Sequence, residues 1–181
     1  MKTFADQAIR FHKNLSLHTS VKTVEVMNPY QEKGVMEKVE KFFHKFFDDS
    51  SQRTFIFGIN PGRFGAGITG IAFTDPVNLQ EKCGIENKWQ KKHELSSVFI
   101  YDMIEAYGGP AEFYRHHFIT AISPLGFVKD GKNLNYYDQK NLKQDVKPFI
   151  KSCIEKQLEF GAWRKQALCL GSGKNFDEMQ S

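Results

Sequence analysis

Cysteine is scarce in this sequence. The 181 residues include three cysteines, at positions 83, 153 and 169, and no Cys-x-x-Cys pair. A disulfide framework or a cysteine-based zinc site needs paired or closely spaced thiols. We therefore interpret all three as buried thiols of a reducing compartment. The six histidines supply no spacing that would complete a metal site, so we expect neither a metal nor a cofactor.

Long apolar runs are lacking too. The first residues, MKTFADQAIRFH, contain none, whereas a membrane-spanning helix needs about 20 consecutive apolar residues. We expect no signal peptide and no membrane span, a cytoplasmic location and a monomer. A large excess of one charge is also missing, because 25 Lys and Arg stand against 21 Asp and Glu, which leaves a mild net charge of +4. This balance permits a nucleic-acid partner without requiring one.

Familiar catalytic and phosphate-binding motifs are missing. There is no G-x-S-x-G, and no glycine-rich stretch fits G-x-x-x-x-G-K-[ST]. The stretch GAGITG (65–70) has the letters of the dinucleotide fingerprint. That motif must open a helix directly after a strand, whereas this match begins six residues beyond the predicted strand. We interpret it as a coincidence within a glycine-rich loop.

The sequence does contain an alternation of predicted strands and helices. Apolar, β-rich runs predict strands at 54–59, 118–122 and 166–170, and helical periodicity predicts helices at 4–15, 36–47, 96–107 and 142–160. Ser96 is expected to cap the third helix, and Pro148 to lie in a first turn or at a kink. The alternation predicts an α/β fold with a parallel sheet between helices. No linker divides the chain, so 1–181 is a single predicted domain, with a helical section (1–50) and a motif-bearing core (51–176).

Unusual residues follow each predicted strand, in GINPG, AISPLG and LGSGK. Ligands of parallel sheets bind outside these strand ends. In the first segment, Asn60 ends the strand, Pro61 restricts the turn and Gly62 leaves a backbone N–H accessible, while Phe73 lies at the far end of the loop. An amide, backbone donors and an aromatic ring suit a flat, polar heterocycle such as a nucleobase.

The segment GINPGRFGAGITGIAF (58–73) resembles the first motif of the uracil-DNA glycosylase superfamily. It is most similar to the single-strand-selective monofunctional branch, whose motif reads G-x-N-P-G-x-x-G-x-x-x-T-G-x-x-F. Eight positions agree without a gap: Gly58, Asn60, Pro61, Gly62, Gly65, Thr69, Gly70 and Phe73. FITAISPLGF (118–127) is similar to the family's second motif segment, and ALCLGSGK (167–174) more weakly to a third. The resemblance implies a three-layer α/β/α fold with a short parallel sheet, and a monofunctional DNA glycosylase of base-excision repair.

The resemblance also implies roles for individual residues. Asn60 would orient the attacking water, Phe73 would stack on a flipped base, and nearby backbone N–H groups would bind the edge of that base. The implied substrate-binding set is Gly58, Ile59, Gly62, Phe73, Ala121 and Ser123. The implied DNA-facing set is Arg63, Gly171, Ser172, Gly173 and Lys174. The substrate would be single-stranded or duplex DNA that carries uracil or another deaminated base, and no cofactor is implied.

The sequence departs from the family at two places. Ala121 stands where the family has an Asn that reads the uracil edge, with Ser123 as a candidate to take over part of that task. The family's C-terminal His-Pro motif, carried on a fourth strand and loop, has no counterpart, so we expect a sheet without that edge strand. Two alternatives therefore stay open: a catalytically weak nucleic-acid-binding relative, and a binder of free nucleobases or nucleotides. The second predicts little salt-dependent DNA binding.

Overall fold

Eight helices and six strands make up the part of the chain, residues 2–180, that the computed structural model describes. The helices are α1 (Phe4–Lys13), α2 (Val35–Phe47), α3 (Ala66–Thr69), α4 (Pro76–Glu81), α5 (Leu95–Tyr107), α6 (Pro110–His116), α7 (Lys140–Leu158) and α8 (Lys174–Gln180), with a 3₁₀ turn at Pro29–Gln31. The strands are β1 (Glu25–Met27), β2 (Arg53–Gly58), β3 (His117–Ala121), β4 (Gly126–Lys129), β5 (Lys132–Leu134) and β6 (Ala162–Cys169).

A parallel sheet of order β3-β2-β6 lies at the centre of the fold. Phe55 of β2 pairs with Phe118 of β3 on one side and with Ala167 of β6 on the other. Three strands form this sheet within the described residues, and most of β6 is exposed at its edge. The parallel pairing and the strand–helix alternation confirm the predicted α/β fold.

Two apolar clusters support the parallel sheet. The larger one joins α1 and α2 to β2 and β3, and its centre is aromatic: the Phe4 ring lies 4.9 Å from that of Phe118 and 5.1 Å from that of Phe47. The second cluster joins Val146 and Ile150 of α7 to Ile122, just beyond β3. Burying these side chains removes apolar surface from water, which is the main favourable contribution to folding. None of the helices in residues 2–180 has the length and apolar character needed to cross a bilayer.

The helix predictions hold in position but need two corrections. The predicted helices at 4–15, 36–47, 96–107 and 142–160 correspond to α1, α2, α5 and α7. Glu94, rather than Ser96, is the N-cap residue of α5, and it makes no side-chain capping bond. Pro148 lies in the interior of α7, which rules out the first-turn alternative and leaves the predicted kink untested. A proline there has no N–H with which to make the helical backbone hydrogen bond.

Strand β6 begins at Ala162, four residues before the predicted start at 166. The intervening Trp163, Arg164 and Lys165 are exposed, so this end of the strand has no apolar pattern. Ala162 pairs with Arg53 and Ala167 pairs with Phe55, so these residues lie within the register shift between the two pairs.

A second, antiparallel sheet of order β1-β4-β5 is absent from the prediction. Met27 pairs with Gly126, and Phe127 pairs with Leu134. Asp130 and Gly131 form the turn between β4 and β5, both with positive φ (50° and 70°), as a two-residue hairpin turn of this kind requires. This sheet places residues 134–136 next to the carboxyl end of β2, where the candidate site lies.

Candidate active site

The predicted motif lines a small cavity at the carboxyl end of β2. Its volume is about 180 Å³, well above the roughly 10–15 Å³ that one water molecule needs on this measure, so a small heterocycle has room there. Larger hollows of about 380 and 440 Å³ lie away from this end of the sheet, between α1 and α7 and beside Trp89. The cavity is lined by Ile59, Asn60, Pro61, Gly62, Ala66, Ala72, Phe73, Glu94, Ser96 and Ala121.

The ring of Phe73 forms one side of the cavity. Phe73 has a φ of 52°, a left-handed backbone conformation that residues other than glycine seldom adopt. Its ring lies against the end of β2, where Cε2 and Cζ are each 2.6 Å from the position that a Cβ on residue 58 would take. Gly58 therefore makes room for the aromatic ring, and the half-buried ring is available for stacking.

Asn60 is held in one orientation by the segment that follows β5. Its Nδ2 donates hydrogen bonds to the carbonyl oxygens of Leu134 (3.2 Å) and Pro61 (3.5 Å). Its Oδ1 accepts a hydrogen bond from the backbone N–H of Tyr136 (3.2 Å). A carbonyl oxygen has two lone pairs, so Oδ1 retains one for a molecule in the cavity. The antiparallel sheet thus positions the residue that the motif identifies.

Backbone donors of the loop are also available. Within residues 2–180, neither the Gly62 N–H nor the Phe73 N–H donates a hydrogen bond to another group of the protein. Both residues line the cavity. Unpaired N–H groups beside an aromatic ring can bind the polar edge of a heterocycle and stabilise negative charge on it.

The carboxylate of Glu94 occupies the space above two of the motif glycines. A Cβ on Gly62 would lie 2.6 Å from Glu94 Oε1, and a Cβ on Gly65 would overlap Glu94 Oε2. Glu94 is anchored by its own backbone, whose N–H donates a 3.0 Å hydrogen bond to Asp75 Oδ2. Partial burial, reinforced by the charge of Asp75, raises the pKa of the Glu94 carboxyl above its ordinary value.

Sequence reasoning missed Glu94 altogether. It lies 34 residues beyond Asn60 along the chain, outside every motif and in a segment without regular structure. Its only signal was its position next to the predicted start of α5. The closeness of its carboxylate to Gly62 and Gly65 is created by the tertiary fold and is not encoded in local spacing.

The other two glycines of the loop serve packing. A Cβ on Gly67 would meet Met27 Sδ at 2.6 Å, and one on Gly70 would meet the side chains of Val35 and Val39 at 2.9 Å. Gly70 also has a positive φ of 72°, which favours glycine. The glycine-rich loop therefore admits neighbouring side chains as well as leaving room for a ligand.

Of the two site residues predicted in the segment 118–127, Ala121 lies at the cavity and Ser123 does not. Ala121 lines the cavity, and its carbonyl oxygen accepts a 3.2 Å hydrogen bond from Gln157 Nε2. Ser123 is fully buried but does not line the cavity, and its hydroxyl donates a 2.8 Å hydrogen bond to the carbonyl oxygen of Leu125. The serine hydroxyl is thus used within the loop.

The predicted DNA-facing residues lie outside the cavity. Arg63 places its guanidinium 4.8 Å from the ring centroid of Phe64, and its backbone N–H donates to Asn133 Oδ1. Lys174 begins α8, with its ammonium 4.6 Å from the ring centroid of Tyr137 and 3.6 Å from Asp138 Oδ1. The residues between β6 and α8, Gly171, Ser172 and Gly173, are exposed. Because β2 and β6 are parallel, both loops lie at the same edge of the sheet.

Within residues 2–180, no group of three or more His, Cys, Asp or Glu side chains could hold a metal ion. The cavity instead offers an aromatic ring, a fixed amide, free backbone donors and one carboxyl group. It lies at the carboxyl ends of the strands of a parallel α/β sheet, where proteins of this architecture bind their ligands.

Comparison with known proteins gives the family. The model of the uracil-DNA glycosylase superfamily matches residues 44–176. The crystal structure of wild-type SMUG2 from Pedobacter heparinus is similar, with a TM-score of 0.94 and 44% sequence identity over 99% of this chain and 80% of that one. No curated protein matches. The chain belongs to the uracil-DNA glycosylase superfamily, which confirms the resemblance found in the motif at 58–73.

Proposed function

We propose that this protein is a monofunctional DNA glycosylase that hydrolyses the N-glycosidic bond of uracil or another deaminated base in DNA. The observation that carries the proposal is the amide of Asn60, held by backbone atoms at 134–136 beside the ring of Phe73. Membership of the superfamily and the likeness to SMUG2 support the same class of reaction.

The target base must leave the helix stack to enter so small a cavity. In the cavity the base would stack on Phe73, and the N–H groups of Gly62 and Phe73 would donate to its edge. Those donors favour bond cleavage because the base leaves with the electron pair of the bond and becomes negative. Asn60 would orient a water molecule toward C1′ of the sugar. Single-stranded or mismatched sites cost less to use, since their bases are already unpaired or weakly paired.

Two cations at the edge of the sheet that carries the cavity suit the phosphates of the strand. Arg63 lies on the loop after β2, and Lys174 is the first residue of α8, which follows β6. We propose that they contact phosphates on either side of the flipped nucleotide, together with the exposed backbone of Gly171, Ser172 and Gly173. Such contacts position DNA without reading its sequence.

A weakly catalytic nucleic-acid-binding relative is the second candidate, and Ala121 favours it. The side chain at this position lines the cavity but has no polar atom with which to read a base. Removing one preorganised donor from an active site costs on the order of 10²–10³ in rate. A protein with this cavity could therefore bind a deaminated base with little excision.

A cleavage assay separates these candidates. The substrates are fluorescent oligonucleotides, single-stranded and mismatched, that carry uracil, hypoxanthine or xanthine. Each is incubated with wild type, with Asn60→Ala and with the exposed control Asn14→Ala. Alkali then breaks the strand at abasic sites. We expect excision by wild type and Asn14→Ala, with a loss of about 10²-fold or more in Asn60→Ala. Salt-dependent DNA binding without excision would instead identify the weakly catalytic relative, and affinity for free bases alone the small-molecule binder.

A further inference from the structure

We propose that Glu94 is the general base of this site, which takes the proton from the water that Asn60 orients. The inference rests on the proposed glycosylase function and adds a catalytic residue to it. It is drawn from the position of the Glu94 carboxylate, which lines the same cavity as Asn60 and Phe73 and lies directly above the loop at 62–65.

The chemistry requires a proton acceptor that Asn60 cannot provide. Water that adds to the sugar must lose a proton, and a carboxamide is too weak a base to hold it. The Asn60 amide is in addition engaged by three backbone groups of the protein. Of the ten residues that line the cavity, Glu94 is the one with an ionisable side chain. The two side chains therefore divide the task, with orientation by the amide and deprotonation by the carboxylate.

The fold creates space for the carboxylate at this place. A Cβ at residue 62 or 65 would meet the carboxylate where it lies, so these two motif glycines leave the space that the Glu94 side chain occupies. Its side chain makes no capping bond to α5, although Glu94 occupies the N-cap position. An acidic side chain that could satisfy the helix terminus is instead directed over the loop beside the cavity.

The charged groups around Glu94 determine when it can act as a base. Asp75, at the N terminus of α4, is the nearest, and His93 Nδ1 lies 3.4 Å from Asp75 Oδ2. The guanidinium of Arg63 and the ammonium of Lys92 lie 4.8 Å and 4.0 Å from the ring centroid of Phe64. Burial and the negative charge of Asp75 both raise the pKa of Glu94. The raised pKa lies closer to neutral pH, and a general base is most effective when its pKa is near the working pH.

The proposed step balances as follows. The C1′–N bond breaks and its electron pair leaves with the base as an anion. The water oxygen forms a bond to C1′, and one water proton passes to the Glu94 carboxylate. The protonated Glu94 then returns that proton to the departing base or to solvent, which restores the carboxylate for the next cycle. No oxidant, metal or further reactant is needed.

The test is the pH dependence of single-turnover excision of uracil from a single-stranded oligonucleotide, for wild type, Glu94→Gln and the exposed control Glu81→Gln. Wild type and Glu81→Gln should show a rate that rises with pH as a carboxylate forms and then becomes constant. Glu94→Gln should be slower by about 10²-fold or more and should lose this rise, while its DNA affinity and thermal midpoint stay close to those of wild type. In Glu94→Ala, added formate should restore part of the rate.

Each outcome decides the question. If Glu94→Gln keeps the wild-type rate, or is slower but keeps the same rise with pH, Glu94 is not the base. A lack of rescue by formate in a folded Glu94→Ala protein would also count against it. If wild type excises no base, or if Asn60→Ala excises the same bases as wild type, the glycosylase proposal fails and this inference fails with it. Excision by wild type with an unaltered Glu94→Gln profile overturns this inference alone.

Discussion

The ring of Phe73 occupies the place where a side chain on residue 58 would lie, with Cζ 2.6 Å from the position of a Cβ on Gly58. The absence of a side chain at Gly58 thus leaves room for the ring of Phe73 at the end of β2. The left-handed backbone of Phe73 (φ 52°) directs the ring toward this strand.

A Gly58→Ala substitution should therefore damage both packing and activity. We expect a loss of about 1–3 kcal/mol in the free energy of unfolding, as for other overpacked sites, measured by urea denaturation. Displacement of the ring should lower kcat/KM for excision by about tenfold to a hundredfold, the size of one base–aromatic stack. Gly34→Ala is the comparison: with a positive φ of 82° and nothing within 4 Å, it should lose stability through backbone strain but keep wild-type activity. Wild-type stability and activity in Gly58→Ala would show that the ring is not constrained by this contact.

Ala121 offers a second prediction, on base preference. An Ala121→Asn substitution places an amide in the cavity wall, where it can both donate to and accept from the edge of a base. A well-placed pair of such bonds is worth about 1–3 kcal/mol of discrimination. We expect the ratio of uracil to hypoxanthine excision to rise about tenfold, measured on matched oligonucleotides in one assay. Ala121→Val, of similar bulk but apolar, should leave the ratio unchanged; an equal effect from both variants would mean that size, rather than hydrogen bonding, sets the preference.

The third prediction concerns stability below neutral pH and depends on His12. This ring is buried between Tyr30 and Phe43, with Nδ1 2.8 Å from the Ala8 carbonyl oxygen, and burial lowers its pKa to about 4. In the unfolded chain a histidine takes up a proton near pH 6.5. Since the unfolded state binds the proton first, the free energy of unfolding should be constant above pH 6.5. It should then fall by on the order of 3 kcal/mol as the pH drops to 4.

Urea titrations at several pH values measure this fall. His12→Phe removes the titrating group but keeps a ring in the aromatic cluster, so its stability should change much less over the same range. His18→Phe, at an exposed position, should behave like wild type. A fall of equal size in His12→Phe would assign the acid sensitivity to other groups.

Features that neighbouring residues determine could be predicted from the sequence, whereas features that depend on contacts between distant parts of the chain could not. β2 and the loop after it form one contiguous stretch, so its apolar run and its motif could be read directly, and the placement of Asn60 and Phe73 in one cavity agrees with that reading. The antiparallel sheet escaped because its strands are only three or four residues long. β4 and β5 form a local hairpin, and its Asp130-Gly131 turn is a signal that the sequence does carry. The pairing of β1 with β4, by contrast, joins positions about 100 residues apart. Glu94 escaped for a similar reason, since only the fold brings its carboxylate above Gly62 and Gly65.

The bonds that hold Asn60 have a consequence for folding. They join it to backbone atoms 74 and 76 residues further along the chain. Closing so long a loop costs conformational entropy, and the chain loses this entropy before the contact can form. A folding intermediate that has paired β2 with β3 would already contain the motif, but its amide would still rotate freely. The amide becomes oriented only when β4 and β5 have docked, so native hydrogen-exchange protection at Tyr136 would mark the moment at which the site is assembled.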